Sequence, residues 1–347
     1  MARSALRQVA RGVDPGEEKK AALASKAATP TVAEVVAEFI KKYVKVTNRS
    51  WQETERIFQR EVIPVLGKKL ITEVTRADVL ALIDGIAERG TGYMANKTLA
   101  VVRKFWNWCL EKGKVEVSPV AHIKAPGKEV SRDRVLSDEE IGCVWIACDG
   151  MGWPFGLLYK LLLITGQRLR EAAEMRWTDI DLGKKIWTVP RKKTKSDRLN
   201  VVPLSSLALE VLGQVPRIGG EYVFSTTTRS PISGFSKGKA RLDMLILEVR
   251  RESAIEAGAD PTAIPEWPEW RVHDLRRTVA SGMARFRVEP WVVEKVLNHA
   301  TGQLSGVAGV YNRWGYIDEK ATALATWARH VEGIIRPISD NVVQLHG

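Results

Sequence analysis

Cysteine and histidine are scarce. The 347-residue chain carries three cysteines, Cys109, Cys143 and Cys148, and five histidines. An odd cysteine count without a second ligand pair argues against a disulfide framework and against a zinc site. No apolar stretch reaches the roughly 18 residues of a membrane span. The N-terminus is charged but lacks the apolar centre of a signal peptide. A reducing cytoplasm is the expected compartment, and no membrane partner is expected. The sequence also lacks a nucleophile elbow for acyl transfer and a Gly-rich phosphate loop for ATP. Asp179 and Asp181 form a lone D-x-D at a strand entry, which reads as a turn rather than a ligand pair, and no second carboxylate set accompanies it as a two-metal nuclease requires. No metal and no cofactor are expected. There is no internal repeat and no low-complexity segment.

Positive charge is abundant. Lys and Arg number 53 against 41 Asp and Glu, a formal net charge of +12. Such an excess suits a polyanion, and duplex DNA is the first candidate. A hydrophobic content of 45% over this length is enough for two globular domains with their own cores.

The stretch from Trp270 to Thr301 concentrates the unusual residues. Leu275, Val279, Met283 and Phe286 recur at helical spacing and mark one buried face. His273 and Arg276 are three apart and so neighbour each other on an adjacent face. After Glu289-Pro290 a second short helix, with Trp291, Val292, Val296 and Leu297, ends at Asn298-His299. By itself His273-x-x-Arg276 fits a core histidine beside surface arginines as well as it fits a functional pair.

Three boxes here, His273-Asp274-Leu275-Arg276-Arg277-Thr278, Leu297-Asn298-His299 and Tyr311-Asn312-Arg313, together resemble those of the tyrosine recombinases, the phage integrase family. The resemblance is strongest to the integrases of prophages and genomic islands. It implies a G-x-R-x-x-E box upstream, which Gly166, Arg168 and Glu171 supply. It also implies a lysine between two strands, which falls in the basic turn Arg191 to Asp197. It spans about residues 31 to 335.

The implied fold is mainly α with a small β-sheet: an N-terminal four-helix core-binding domain over residues 31–113 and a mixed α/β catalytic domain over 136–333. A basic N-terminal segment and linker (1–30), an interdomain linker (114–135) and a C-terminal tail (334–347) complete it. The residues agree with this division. Thr31 and Glu34 form a capping box ahead of the stripe Val32, Val35, Val36, Phe39, Ile40 and Tyr43. Ser50-x-x-Glu53 opens a second helix that should stop near Pro64. Thr75 caps a third, with Val79, Leu80, Ile83 and Ile86. A fourth runs from Asn96 to Leu110 and ends at Gly113, with Phe105, Trp106 and Trp108 as core aromatics. Lys114 to Arg134 is basic and bears Pro and Gly, as a linker does; the resemblance makes it the joint of a clamp around the duplex.

In the second domain Ser137-x-x-Glu140 caps a helix, and a buried helix follows over Phe155–Ile164. Strands are expected around Ile186–Val189 and Leu199–Leu204, with Tyr222-Val223-Phe224 strand-like. Residues 205–213, 237–257 and about 319–331 should be helical. In related island integrases a segment like Gly12-Val13-Asp14-Pro15 follows an arm-binding domain, so the resemblance also implies a chain that lacks that domain. Translating the DNA upstream of Met1 checks this.

The implied chemistry makes sense of the residue types. A phosphodiester gathers negative charge in its five-coordinate transition state. Arginine stays charged and its planar fork binds two oxygens at once. Arg168 and Arg276 are the candidates, with Arg170 as the rival to Arg168. Tyr311 is the candidate nucleophile, with Tyr316 as rival. His273 would be its base, His299 would hydrogen-bond the phosphate, and Lys195 would protonate the departing 5′ oxygen. Lys192 and Lys193 compete with Lys195. Glu171 would orient the set. Phosphate contacts would come from Lys41, Lys45, Lys97, Arg103, Lys104, Lys193 and Arg277, each of which also fits plain solvated surface. The implied partners are double-stranded DNA attachment sites, a homotetramer, a DNA-bending accessory protein and an excisionase, with the C-terminal helix and tail docking on a neighbouring protomer. Two other readings stand beside this one: a type IB topoisomerase and a recombination-defective DNA-binding remnant.

Overall fold

Two hydrophobic cores organise the chain, one in each of two compact units, Met1–Ser131 and Arg132–Gly347. The computed structural model describes residues 29–90, 92–128, 132–191, 199–299 and 315–336.

In the first unit, Thr31 accepts from the Glu34 amide while Glu34 reaches back to the Thr31 amide at 2.8 Å. Helix α1 (Val32–Phe39) widens into a π-helical stretch, Ile40–Val44, and ends with Lys45–Thr47. Helix α2 starts at Trp51 and continues through a second wide stretch, Phe58–Val62, into Ile63–Leu66. It stops two residues past Pro64, which it accommodates just inside its end. The wide turn is the physical reason: it shifts the hydrogen-bond register, and Pro64 falls at the start of the last segment, where an absent N–H costs nothing. Ser50 precedes the helix without capping it, because its hydroxyl bonds Asn48 Oδ1 instead. Thr75 and Asp78 form the capping box of α3 (Arg76–Glu88), and α4 (Gly92–Glu111) stops short of Gly113, whose φ of +64° closes the turn.

The aromatics of α4 are core. Phe39 packs against Phe105 at 5.4 Å and Trp108 at 5.3 Å, with Phe58 edge-on at 6.0 Å. Each such ring contributes about 1.5–3 kcal/mol by burial. Val120 and Ile123 also sit in this core.

In the second unit Ser137 caps α5 (Asp138–Met151) through a full capping box. Helix α6 (Phe155–Thr165) is apolar almost all round and accordingly buried along its length, its one charge, Lys160, pairing with Asp149. The short α7 (Leu169–Ala173) follows. Strands β1 (Ile180–Asp181), β2 (Ile186–Val189) and β3 (Asn200–Pro203) pair antiparallel in that order, Ile180 against Trp187 and Val189 against Asn200. Asp179 and Asp181 stand at the entry to β1, as the D-x-D suggests, and Asp181 Oδ1 accepts from Lys184 N at 2.9 Å. Residues 222–224 do not form a strand; Tyr222 makes one isolated bridge to Arg176. The chain leaves that edge at once, since Val223 and Phe224 are drawn into the core.

Helices α8 (Ser206–Gly213), α9 (Phe235–Glu256), α10 (Val272–Arg285), α11 (Pro290–Val296) and α12 (Ile317–Ile335) follow among the described residues. Trp327 of α12 is buried, and its indole donates to the Leu163 carbonyl at 2.8 Å. Among the described residues no helix is long and apolar enough to cross a membrane.

Candidate active site

The site begins where α6 must end. Gly166 takes a left-handed turn at φ +65° and donates its N–H to Leu162 O at 2.9 Å. A side chain there would be strained by the backbone, and its Cβ would press on Val279 at 3.0 Å and Leu297 at 3.2 Å. The turn sends Gln167 into the interior and leaves Arg168 as the residue that opens α7.

Arg168 Nη1 then pairs with Glu171 Oε1 at 2.9 Å, and its Nη2 donates to the Asn298 carbonyl at 3.4 Å. Glu171 is buried, so this pair is more than a surface contact. The rival Arg170, two residues on, is exposed.

Helix α10 brings the second arginine. Asp274, fully buried, accepts from the Arg271 amide at 2.8 Å and pairs with Arg277, which anchors the first turn. One helical step on, Arg276 is 4% exposed. Its Nη1 donates to Gly166 O at 2.7 Å, and its Nη2 donates to Leu297 O. Burial, and after it the charge of Arg168, push the Arg276 guanidinium down to about 10, so it remains a cation at neutral pH. His273, on the exposed side of the same turn, is lowered by desolvation and by the charges of Arg276 and Arg277.

The third element explains the convergence. Helix α11 ends at Val296, and Asn298 turns left-handed at φ +50°. Its last carbonyls lack intrahelical donors. Val296 O accepts from Gln167 Nε2 at 3.0 Å, Leu297 O from Arg276, and Asn298 O from Arg168. Three successive carbonyls thus take up donors from α10 and from the Gly166 turn. The negative end of the helix dipole also suits the two guanidinium groups. His299 follows directly, its Nδ1 3.0 Å from Glu294 Oε2.

Arg168, Glu171, His273, Arg276 and His299 therefore belong to three elements that meet at the end of α11. Tyr311, Lys195 and Lys193 lie outside the described residues. Lys193 and Lys195 fall in the connection between β2 and β3, whose ends pair Val189 with Asn200. The rival Tyr316 sits at the start of α12 with φ +48°, its ring 4.9 Å from Trp291 and 5.4 Å from Lys295 Nζ.

The expected phosphate contacts differ in freedom. Lys41 is exposed. Lys45 lies over Trp51 at 4.3 Å and Lys104 over Tyr43 at 5.3 Å. Lys97 pairs with Glu53 at 2.6 Å, Arg103 donates to the Ile123 carbonyl, and Arg277 is held by Asp274. Lys97 and Arg103 would have to leave these partners to meet a phosphate. Burial pushes the Cys109 and Cys148 thiols up to about 12, so neither offers a thiolate at neutral pH. Among the described residues no three His, Cys, Asp or Glu side chains cluster as a metal site would require.

Sequence reading missed Gln167, Asn200 and Lys320 as members of this neighbourhood. Lys320 offered a signal: it precedes Ala323, Leu324, Trp327, Ala328 and Val331 on the buried stripe of α12, where a charge is out of place.

Comparison with known proteins agrees across both units. The phage integrase family pattern matches residues 149–312, and the phage integrase central domain matches residues 32–126. The chain is 22% identical to prophage integrase IntA of Escherichia coli over 92% of its length and 75% of that protein. It is 21% identical to the integrase of Shigella phage Sf6, covering 96% and 82%. Tyrosine recombinase XerC of Xylella fastidiosa is 31% identical over 42% of this chain and 51% of that protein. In fold, the chain matches a lambda integrase dimer bound to a COC′ core site with a TM-score of 0.62 and 18% identity, covering 79% and 97%. It matches the Tn1549 transposon integrase in complex with circular intermediate DNA at 0.62 and 14%, covering 80% and 94%. These relatives are integrases and recombinases, and the type IB topoisomerase reading is set aside on that ground. With both parts of the family pattern present, the chain belongs to the phage integrase family and is a tyrosine-type site-specific DNA recombinase.

Proposed function

We propose that the protein is the integrase of a prophage or integrative island, and that it cuts and rejoins its attachment sites through a 3′-phosphotyrosine formed by Tyr311. The observation that carries this reading is the ladder of carbonyls 296, 297 and 298, which holds Arg168 and Arg276 beside His299. Two fixed cations would bind the non-bridging oxygens of the scissile phosphate. Because they are placed before the reaction, the developing charge requires no reorganisation. Tyr311 would attack phosphorus, its proton passing to His273, which desolvation and the nearby arginines keep neutral. Lys195 would hand a proton to the departing 5′ oxygen. Nε2 of His299 would meet the phosphate while Glu294 holds Nδ1. The bond energy stays in the phosphotyrosine until the 5′-OH of another strand attacks it, so ATP is not needed.

The domain boundaries at 31–113 and 136–333 form part of this reading. So do double-stranded DNA as the partner, residence in the cytoplasm at the nucleoid, and a bending protein and an excisionase as helpers. A lambda integrase tetramer bound to a Holliday junction, matched at a TM-score of 0.61, supports a tetramer on paired sites. Binding would be strongly salt-dependent through counterion release.

The test is a covalent trap. The protein is incubated in EDTA with a nicked duplex from the junction of its own element and run on a denaturing gel. A protein–DNA band from wild type, lost in Tyr311→Phe, is expected. No band on DNA that the protein binds would instead mark a recombination-defective remnant.

A further inference from the structure

Lys320 is a charged residue in an apolar stripe, and it is 3% exposed. An ammonium buried without acceptors costs several kcal/mol, so its partners matter. Nζ donates to Asn200 Oδ1 at 3.0 Å and to the Val201 carbonyl. Asn200, also buried, donates Nδ2 to Gln167 Oε1 at 3.0 Å. Gln167 Nε2 in turn donates to Thr165 O at 2.9 Å and to Val296 O at 3.0 Å.

The links join residues far apart in the chain. They tie the first turn of α12 to the first residue of β3, then to the residue before Arg168, then to the end of α11 before His299. In sequence Lys320 follows Tyr311 by nine residues (320 − 311) and Asn200 follows Lys195 by five (200 − 195). Apolar residues of similar volume would fill this space at no loss of stability. A directional network does something they cannot: it admits one register and penalises sliding, because any shift strands a buried donor.

Building on the reading of the site above, we infer that Lys320, acting through Asn200 and Gln167, is a positioning residue for strand cleavage. It fixes the helix that follows Tyr311 and the strand that leaves the Lys195 turn in a register set by Arg168. Lys320 acts through these neighbours and not on the phosphate itself.

The probe is a nicked duplex that the full-length protein itself selects from a random-sequence pool. Adduct formation is followed in a single turnover at saturating protein, and the dissociation constant and melting temperature are measured beside it. The variants are Lys320→Met, Asn200→Leu and the two combined. Lys320→Met is expected to slow adduct formation by about 10²-fold, the scale of a 1 Å misplacement, with the dissociation constant unchanged within about twofold. The double variant removes both ends of the Lys320–Asn200 bond, so its melting temperature should fall by less than the sum of the two single losses, without regaining rate. It also carries the reading if Lys320→Met alone does not fold. Cleavage by Lys320→Met at the wild-type rate overturns the inference. So does a double variant that recovers rate along with stability, or affinity that falls in step with rate. Those outcomes leave the tyrosine chemistry standing, whereas no adduct from wild type on DNA it binds overturns the reading of the site and this inference with it.

Discussion

Arg168 meets Glu171 through one contact of 2.9 Å, and the second carboxylate oxygen of Glu171 is buried without a hydrogen-bond partner among the described residues. The fork is half used because Nη2 of Arg168 turns to the Asn298 carbonyl. Glu171→Gln keeps the shape and removes the charge that steadies the arginine. It should slow adduct formation by about tenfold, or about 1.4 kcal/mol, with DNA affinity intact. Arg168→Ala removes a phosphate donor outright and should cost about 10²–10³ in the same single-turnover assay. Equal, small effects from both would mean that neither faces the phosphate.

Tyr316 is the structural rival of Tyr311, and its ring packs edge-on against Trp291. Tyr316→Phe keeps that packing and should form adduct at near the wild-type rate. Tyr311→Phe should form none. The reverse pattern on a denaturing gel would move the nucleophile five residues along the chain.

His273 is lowered from its ordinary value of 6.5 by desolvation and by Arg276 and Arg277. As the proton acceptor it must be neutral, so the rate should rise with pH along a limb centred below 6.5 and level off above it. Arg277→Gln removes one of the cations and should move that limb upward. A limb that stays in place, measured from pH 5 to 8, would show that another group sets it.

Burial, and after it the charge of Lys295, push Lys320 down to about 8. The unfolded chain then holds this proton more tightly than the native one. Stability is reduced below the native value and recovers as pH rises toward the unfolded value of about 10.4. Against Lys320→Met as reference, urea unfolding should show wild type gaining roughly 2–3 kcal/mol between pH 7 and pH 10. A flat difference would mean that the ammonium is not desolvated.

Gly282 of α10 lies against the ring of Trp327, and a Cβ there would overlap the indole. The ring cannot retreat, since its Nε1 is held by Leu163 O at 2.8 Å. Gly282→Ala should destabilise the second unit by about 1–3 kcal/mol through overpacking, although alanine is the better helix former. Calorimetry would read it as a lowered melting temperature.

Local physics was legible in the residues. The boxes Thr31-x-x-Glu34 and Ser137-x-x-Glu140 start helices where their chemistry places them. Gly166 and Gly113 stop helices because only a residue without a side chain adopts their φ freely. Pro64 marked the end of its helix to within two residues, and the π-helical stretch Phe58–Val62 lets the proline sit just inside it. Tyr222 to Phe224 misled because strand-like composition does not set how far pairing extends, and here it ends at the single bridge between Tyr222 and Arg176.

The sequence by itself determined which residues could do chemistry, in what order, and on which local elements. A histidine, two arginines and a tyrosine at family spacings need no coordinates to be noticed. Only the tertiary structure decided what each of them rests on. That Arg276 is held by Gly166 and Leu297, Arg168 by Asn298, and Lys320 by Asn200 depends on chain closures of more than a hundred residues in all but one of these contacts. Helical period fixes neighbours three or four apart. It carries no information about which distant carbonyl will lack a donor, and that is settled when the cores close and every buried polar group must find a partner.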